Sequence, residues 1–538
     1  MVRLQHTETG SIVFFTLITI VLFTCSIPMI AQTVRIGVAS DLHYTHPSLI
    51  VERGKALDDY LNGDRKLLLE SDALLRKTVQ LLLQENPDIV LIPGDLTKDG
   101  ELVSHLGVAE LLKPLREKGV KVLVIPGNHD VNNPDAVSFQ GDTVRQEATI
   151  SADDFAVIYN DYGYDEAVSR DAHSLSYVSE PVNGLRVMCI DACRYDDNRF
   201  VSKGDEDDHC TTHGAIRPET MTWLRTEMQV AQILGKQILV MIHHNVVEHF
   251  AHQGVFAVPY MVDNFRDVQE KFMEYGINVL FTGHFHSSDI SMVEGAHGNC
   301  LYEVETGSIV TYPCPYRIVE MTGDSLYIET KYIEEIDYTI SEGVDFQTYA
   351  RQTIEHGFME MFAGFINNYH STLADYLPRW AKSFITIPDA ATLTDMVMMN
   401  LSDSAIEMML AHYSGNEDLL DDAAAKKEKM LAYLDHFIYA LSRASAGSFA
   451  GITERFIQRT PVIRKAKESI SSIWDDHVEI QNGDGRKQIY GKVNDLQLTI
   501  MMKPVLSLPV PAHRAEDAPL YLSGSMWNSK SPAGEAGN

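Results

Sequence analysis

Five short runs of branched apolar residues each stop at a side chain able to hold a metal ion. Residues 34–40 end at Asp41 and His43, residues 88–94 at Asp95, and residues 121–127 at Asn128 and His129. Residues 237–242 end at His243 and its neighbour His244, and residues 278–283 at His284 and His286. Carboxylate and amide oxygens mixed with imidazole nitrogens suit divalent first-row metals such as Mn, Fe, Zn or Co, whereas a structural zinc would call for thiolates. No cysteine stands at any of these five ends. Each end alone has a bland reading, since an Asp closing a strand is often a turn former. Five in one chain point to a shared centre.

Runs of this length, rich in Val and Ile and bounded by Gly, Pro or charge, fit strands covered on both faces. Ligands on their last residues would then converge on one edge of a sheet. Gly94, Gly127 and Gly283 stand beside the candidate ligands and permit the close backbone approach such an edge requires. From residue 34 to about Asp337, strands alternate with helical stretches, one of them residues 67–84, where Leu recurs at helical spacing. This is an α/β pattern. Residues 185–191, 301–305, 317–321 and 325–334 read as further strands, the last two close enough to pair antiparallel, so a mixed sheet or two is implied. Past Asp337, aromatic and Met residues recur at helical intervals, from Phe346 to Tyr369 and again over 405–413 and 429–441. Those stripes read as the core of a helical accessory domain over 338–502. Residues 503–538, rich in Pro, Ser, Ala and Gly, read as a loose tail.

The chain has 538 residues, too many for one ordinary core. With 75 Asp plus Glu against 44 Lys plus Arg, its formal charge of −31 argues against a nucleic-acid polymer or an anionic membrane surface as partner. Residues 11–23 form an apolar stretch behind Arg3, and small residues surround Ala31, which resembles a secretory signal. The stretch is shorter than the roughly 20 residues that span a bilayer. A cleaved leader over 1–31, an exported protein and no stable membrane span are therefore expected, with the first domain over 32–337. Leu22, Phe23, Thr24 and Cys25 resemble a lipoprotein box that Thr24 fits poorly, which makes lipidation at Cys25 the lesser reading. The other five cysteines lack zinc spacing, and an exported location would permit a disulfide among them.

In order, Asp41 and His43, Gly94 and Asp95, Gly127 to Asp130, His243, then Gly283, His284, Phe285 and His286 resemble the calcineurin-like metallophosphoesterases over about 34–334. Trp223 and Leu224 on a helix starting near Pro218, and Ile190 with Asp191, look like further elements of that family. The resemblance implies an α/β sandwich of two packed mixed sheets flanked by helices, with two metal ions at the strand ends. One ion would take Asp41, His43 and His286, the second Asn128, His243 and His284, and Asp95 would bridge them. His243 is the family's position, with His244 the neighbour that competes for it. Such a pair clamps the oxygens of a phosphoester and activates a bridging water as hydroxide, and supplies locally the attraction that an acidic chain otherwise denies a phosphate. Asn128 and His129 would contact the substrate. His129 would protonate the leaving oxygen, oriented by Asp130 or Asp99.

The continuation Asn245 and Val246 departs from the prolines usual in the family, which puts the loop's shape and substrate contacts in doubt. Leu96, Thr97 and Lys98 after Asp95 lack the tyrosine of purple acid phosphatases, so that subgroup is disfavoured. The stretch 94–105 looks like bacterial class III cyclic nucleotide phosphodiesterases that carry a helical appendage. A phosphodiesterase acting on a small phosphoester such as a cyclic nucleotide is therefore expected. A phosphomonoesterase and a sphingomyelinase-like lipid phosphodiesterase remain alternatives, and a non-catalytic scaffold would have been expected to lose ligands. His46 and His105, which flank the ligand blocks, are read as solvated loop residues rather than substrate contacts, Thr306, Gly307 and Ser308 as a turn, and the Asp-laden stretch 194–213 as a flexible loop over the site.

Overall fold

The computed structural model describes residues 33–200, 210–340, 343–373, 386–400, 402–417, 420–474, 478–481, 486–490 and 495–502. The expected leader, the tail and the middle of the 194–213 loop lie outside the described residues. The five apolar runs are strands: Val34–Val38, Ile89–Ile92, Lys121–Val124, Gln237–Ile242 and Val279–Thr282. All four residues of Ile89–Ile92 and of Val279–Thr282 are buried, as strands covered on both faces must be.

Two large sheets hold them. In the six-stranded sheet Val34–Val38 runs parallel to Ile89–Ile92, which runs parallel to Lys121–Val124. On its other side Val34–Val38 pairs antiparallel with Pro315–Thr322, which pairs antiparallel with Ser325–Tyr332. In the nine-stranded sheet Leu185–Ile190, Gln237–Ile242, Val279–Thr282 and Cys300–Glu305 are mutually parallel neighbours. Alternation along each strand divides the core. Leu185, Val187, Cys189, Leu239, Met241 and Phe281 join Val38, Leu91 and Val122 of the first sheet in one apolar cluster between the sheets. The alternate residues Met188, Ile190, Val240, Ile242 and Leu280 face outward, under Leu224 and Met228 of the helix Pro218–Ile233 and Phe272 of the helix Phe265–Tyr275. The helix Ser71–Glu85, expected from its Leu spacing, covers the first sheet, and Gly37 lets Leu82 lie against the strand. A third sheet of three short strands, Ile50–Glu52, Val137–Gln140 and Thr143–Gln146, lies to one side in the pairing order.

Past residue 345 the chain is helical as expected, with helices that include Phe346–Leu373, Ser402–Ser414, Ala423–Ala446 and Pro461–Trp474. Two groupings of apolar side chains hold this region. Met430, Leu434, Ile438, Ile470 and Trp474 pack among the helices themselves. Ile354, Phe358, Leu410, Tyr413 and Ile473 pack on Phe250 and Phe285 of the sandwich. The helical stretch then ends earlier than its apolar periodicity suggests. Val478–Gln481 and Lys487–Tyr490 extend the nine-stranded sheet beside Ile290–Glu294, and Gln497–Met501 closes the six-stranded sheet beside Ser325–Tyr332. They are strands of only four or five residues, too short to give a strong sequence signal. Among the described residues no helix is long and apolar enough to cross a membrane, and no cysteine is in a disulfide.

Candidate metal centre

The parallel strands deliver their last residues to one edge, and the backbone then turns sharply. Asp41, His43, Asp95, His284 and His286 have φ of 52°, 37°, 49°, 75° and 72°. Non-glycine residues rarely occupy this left-handed region, and a cluster of them marks strain that surrounding structure must hold. It is held by backbone bonds between neighbouring strand ends. Asp41 N–H donates to Gly94 O at 3.2 Å, His43 N–H to Asp95 O at 2.9 Å and Gly283 N–H to His243 O at 3.1 Å. Ser308, read from sequence as part of a turn, donates its Oγ to Asp41 O at 2.6 Å across the two sheets. At Gly127 a Cβ would stand 2.1 Å from Asp95 Oδ1, and at Gly283 it would stand 2.2 Å from Asp41 Oδ2. No side chain fits either place while the carboxylates stay where they are.

The seven predicted side chains meet there, all buried. Asp41, His43 and His286 form one group and Asp95, His243 and His284 a second, with donor atoms in each within 4.8 Å of one another. His286 Nε2 lies 3.4 Å from Asp41 Oδ1 and 3.1 Å from His43 Nε2. Asn128 Oδ1 lies 3.2 Å from His243 Nε2, which adds it to the second group. Asp95 Oδ2 stands between them, 3.6 Å from His43 Nε2 and 3.4 Å from His243 Nε2. His243 bonds through Nδ1 to Pro93 O at 2.7 Å, which leaves Nε2 to face the centre. The neighbouring His244 turns its Nε2 to Thr212 O at 3.0 Å, outside it.

Protonation follows environment. Burial holds His43 and His284 well below 6.5, in the neutral form that can coordinate a cation. Burial also works against charge on His243, but Asp95 beside it outweighs that and holds its pKa at about 9. A cation entering this group must therefore displace a proton. Asp95 is buried too, yet the His243 and His129 imidazoles keep its carboxyl well below the usual range. Oxygens and imidazoles without a thiolate, converging on one point from both sheets, fit two hard-to-borderline divalent ions.

His129 borders the first group, its ring 4.9 Å from that of His43. Its side chain is 25% exposed, whereas His43 and His243 are sealed, so it reaches the opening. Asp99, not Asp130, orients it, through Nδ1 to Oδ1 at 2.9 Å. Burial depresses the His129 pKa, and the nearby Asp95 and Asp99 carboxylates reverse this to raise it. Asp130 instead ties the loops together, accepting from Leu96, Thr97 and Gly127 N–H at 2.8 to 3.0 Å. His105 is fully buried rather than solvated, donating from Nε2 to Asp130 O at 2.8 Å and bonded to Tyr159 Oη at 2.9 Å. His46 is half-buried and caps the turn at Pro47–Leu49.

A cleft of about 390 Å³ opens over the centre, lined also by Arg65, Lys66, Thr212 and Tyr260. Arg65 and Lys66 are cleft residues that no sequence motif singles out. They follow Asp64, whose Oδ1 accepts from both of their N–H groups at 2.6 and 3.0 Å in a tight turn. Arg65 reaches Tyr260 Oη at 3.3 Å. A dibasic pair in a connecting loop carries no spacing signal of its own. Phe285, between His284 and His286, is packed by Phe358, Leu410 and Tyr413, so the helical region braces the centre from behind.

Residues 34–288 match the calcineurin-like phosphoesterase family, and the chain carries a domain of that family over this stretch. Among curated proteins, a "probable cyclic nucleotide phosphodiesterase" of Vesicomyosocius okutanii subsp. Calyptogena okutanii is 35% identical over 72 residues, 13% of this chain and 30% of that protein. The protein of the same name from Ruthia magnifica subsp. Calyptogena magnifica is 37% identical over 59 residues, 11% of this chain and 24% of that protein. The chain thus spans less than a third of either relative. Among solved structures, a dimetal phosphatase from Danio rerio is similar at 16% identity and a TM-score of 0.38, over 56% of this chain and 96% of that one.

Proposed function

We propose that the chain is a binuclear metal-dependent phosphodiesterase acting on small phosphodiesters, cyclic nucleotides being the favoured class. The observation that carries this reading is Asp95, one carboxylate shared at 3.6 and 3.4 Å between the imidazoles of two donor groups. Asp41, His43 and His286 would hold one ion and Asn128, His243 and His284 the other, with Asp95 between. Two such ions, when bound, neutralise phosphoester charge and lower the pKa of a water between them. The chain's own residues do the rest. His129, oriented by Asp99 and reaching the cleft, donates a proton to the leaving oxygen. Arg65 and Lys66 in the cleft wall draw the phosphate in and offset the chain's acidity. A cleft of about 390 Å³ suits a small ligand rather than a polymer, and the relatives' names favour a cyclic nucleotide.

The test compares hydrolysis of bis-p-nitrophenyl phosphate, p-nitrophenyl phosphate and a 3′,5′-cyclic nucleotide by the Mn-loaded full chain. Diester turnover that exceeds monoester turnover and vanishes in Asp95→Ala is the expected result. A strong monoester preference overturns the diesterase reading, and no hydrolysis with Mn, Fe, Zn or Co overturns the enzymatic one.

A further inference from the structure

A second buried set of chelating groups lies where three parts of the chain meet. Asp289 leads into the strand Ile290–Glu294, Glu417 follows the helix Ser402–Ser414, and Asp495 leads into the returning strand Gln497–Met501. One carboxylate oxygen from each lies within 4.8 Å of the others, and all three residues are buried. Glu305 and Glu303 stand close by, linked through His249, whose Nδ1 is 2.5 Å from Asp289 Oδ2 and whose Nε2 is 3.1 Å from Glu303 and 3.4 Å from Glu305. His412 Nδ1 is 3.0 Å from Glu417 Oε1, and Arg317 is spent on the carbonyls of Asp495 and Glu305.

Charge does not balance here. Five buried carboxylates face at most two imidazolium groups and one guanidinium, which leaves a formal surplus of two negative charges. Nor do hydrogen bonds. The second oxygen of Glu417, Oε2, is fully buried without a hydrogen bond, as is the Ser288 hydroxyl, and Glu305 Oε2 has only the His249 imidazole at 3.4 Å. Buried carboxylate oxygens left in this state are costly unless paired or bound to a cation. Burial accordingly pushes the Glu305 carboxyl up to about 8 and raises those of Glu417 and Asp495. The segments also approach too closely for a side chain, since a Cβ at Gly415 would lie 2.2 Å from Ser288 O.

We propose that Asp289, Glu417 and Asp495 form a third cation site, separate from the catalytic pair, which takes a hard divalent ion of the Ca²⁺ or Mg²⁺ class. Its ligands are all oxygens, the preference of such ions, and one divalent ion cancels the surplus. The ion pins the helical region and the returning strands to the sandwich, directly behind the loop that carries His284 and His286.

The experiment removes metal from the full chain, adds Ca²⁺ alone, and reads bound calcium by mass spectrometry together with Tm. Wild type and Asp95→Ala should each take up about one ion per chain and gain in Tm. The double variant Glu417→Gln, Asp495→Asn should take up none, yet melt above wild type when both are metal-free, because the repulsion is gone. Its Mn-supported turnover should stay within about threefold of wild type. Equal calcium uptake by the double variant overturns the proposal. Should that variant fail to fold, Asp95→Ala decides alone, and absence of calcium uptake by it at millimolar Ca²⁺ overturns the proposal.

Discussion

Among the described residues two buried gatherings of carboxylates and imidazoles stand out, and their backbones differ. At the strand ends, five of the seven predicted ligands sit at positive φ, whereas none of Asp289, Glu303, Glu305, Glu417, Asp495, His249 and His412 does. Such positions cost on the order of 1–3 kcal/mol each. They are held by the two-sheet core and by bonds such as Ser308 Oγ to Asp41 O. The sealed set needs no such strain, because its three segments come from different directions and each can approach in an ordinary conformation. Strain therefore marks the place where parallel strands must aim adjacent side chains at one open cleft. Its absence marks a junction.

The comparison breaks first at Asp95. Asp95→Ala should lower diester turnover by about 10³-fold or more, the scale of losing preorganised charge stabilisation, with circular dichroism unchanged. A variant that keeps more than a tenth of wild-type turnover would place the chemistry elsewhere. The next effect falls on the proton donor. His129→Ala should lower kcat by roughly 10² to 10⁴ for an alkoxide leaving group and far less for p-nitrophenolate, which needs no proton. Metal content should not change. An equal loss on both substrates would remove the acid role and leave His129 a phosphate contact.

Much of this centre was legible because its signal is local: an apolar run, then a ligand. The five strands, the helix from Pro218 and the pairing of Pro315–Thr322 with Ser325–Tyr332 all follow from short-range pattern. What was hidden depends on separation in sequence. The choice of Asp99 over Asp130, like that of His243 over His244, turns on where each side chain points once the loops have closed. Arg65 and Lys66 enter the cleft from a loop with no ligand spacing. Asp495 reaches Asp289 only because the chain returns to both sheets after its helices, and Glu417 because the helix Ser402–Ser414 packs back on the sandwich.

Those cleft cations set the next test. Lys66 is 11% exposed in its side chain and pairs with Asp64 at 3.3 Å, so its charge reaches the phosphate through little water. Lys66→Ala should raise KM roughly tenfold, about one charge-assisted hydrogen bond, with kcat and metal content kept and a weaker salt dependence. A fall in kcat at constant KM would assign Lys66 to the reaction itself rather than to capture of the phosphate.

The smallest effect concerns a buried imidazole outside both gatherings, that of His105. His249 and His412 lie against carboxylates that raise their pKa values above burial's downward pull. His105 hydrogen-bonds only to a carbonyl and a tyrosine and faces no carboxylate, so burial pushes it down to about 3 and it stays neutral in the fold. The unfolded chain protonates the same residue near 6.5. Between pH 6.5 and 3 the unfolded state therefore binds more protons, and the stability contributed by His105 is lost as pH falls through that window. His105→Gln removes this linkage while keeping a donor for Asp130 O. Its stability deficit against wild type in urea unfolding should shrink by about 0.7 kcal/mol between pH 7 and 6, and faster below. A deficit that stays constant over that range would mean that the folded chain binds the proton too, and that a buried imidazole here needs no facing carboxylate to carry charge.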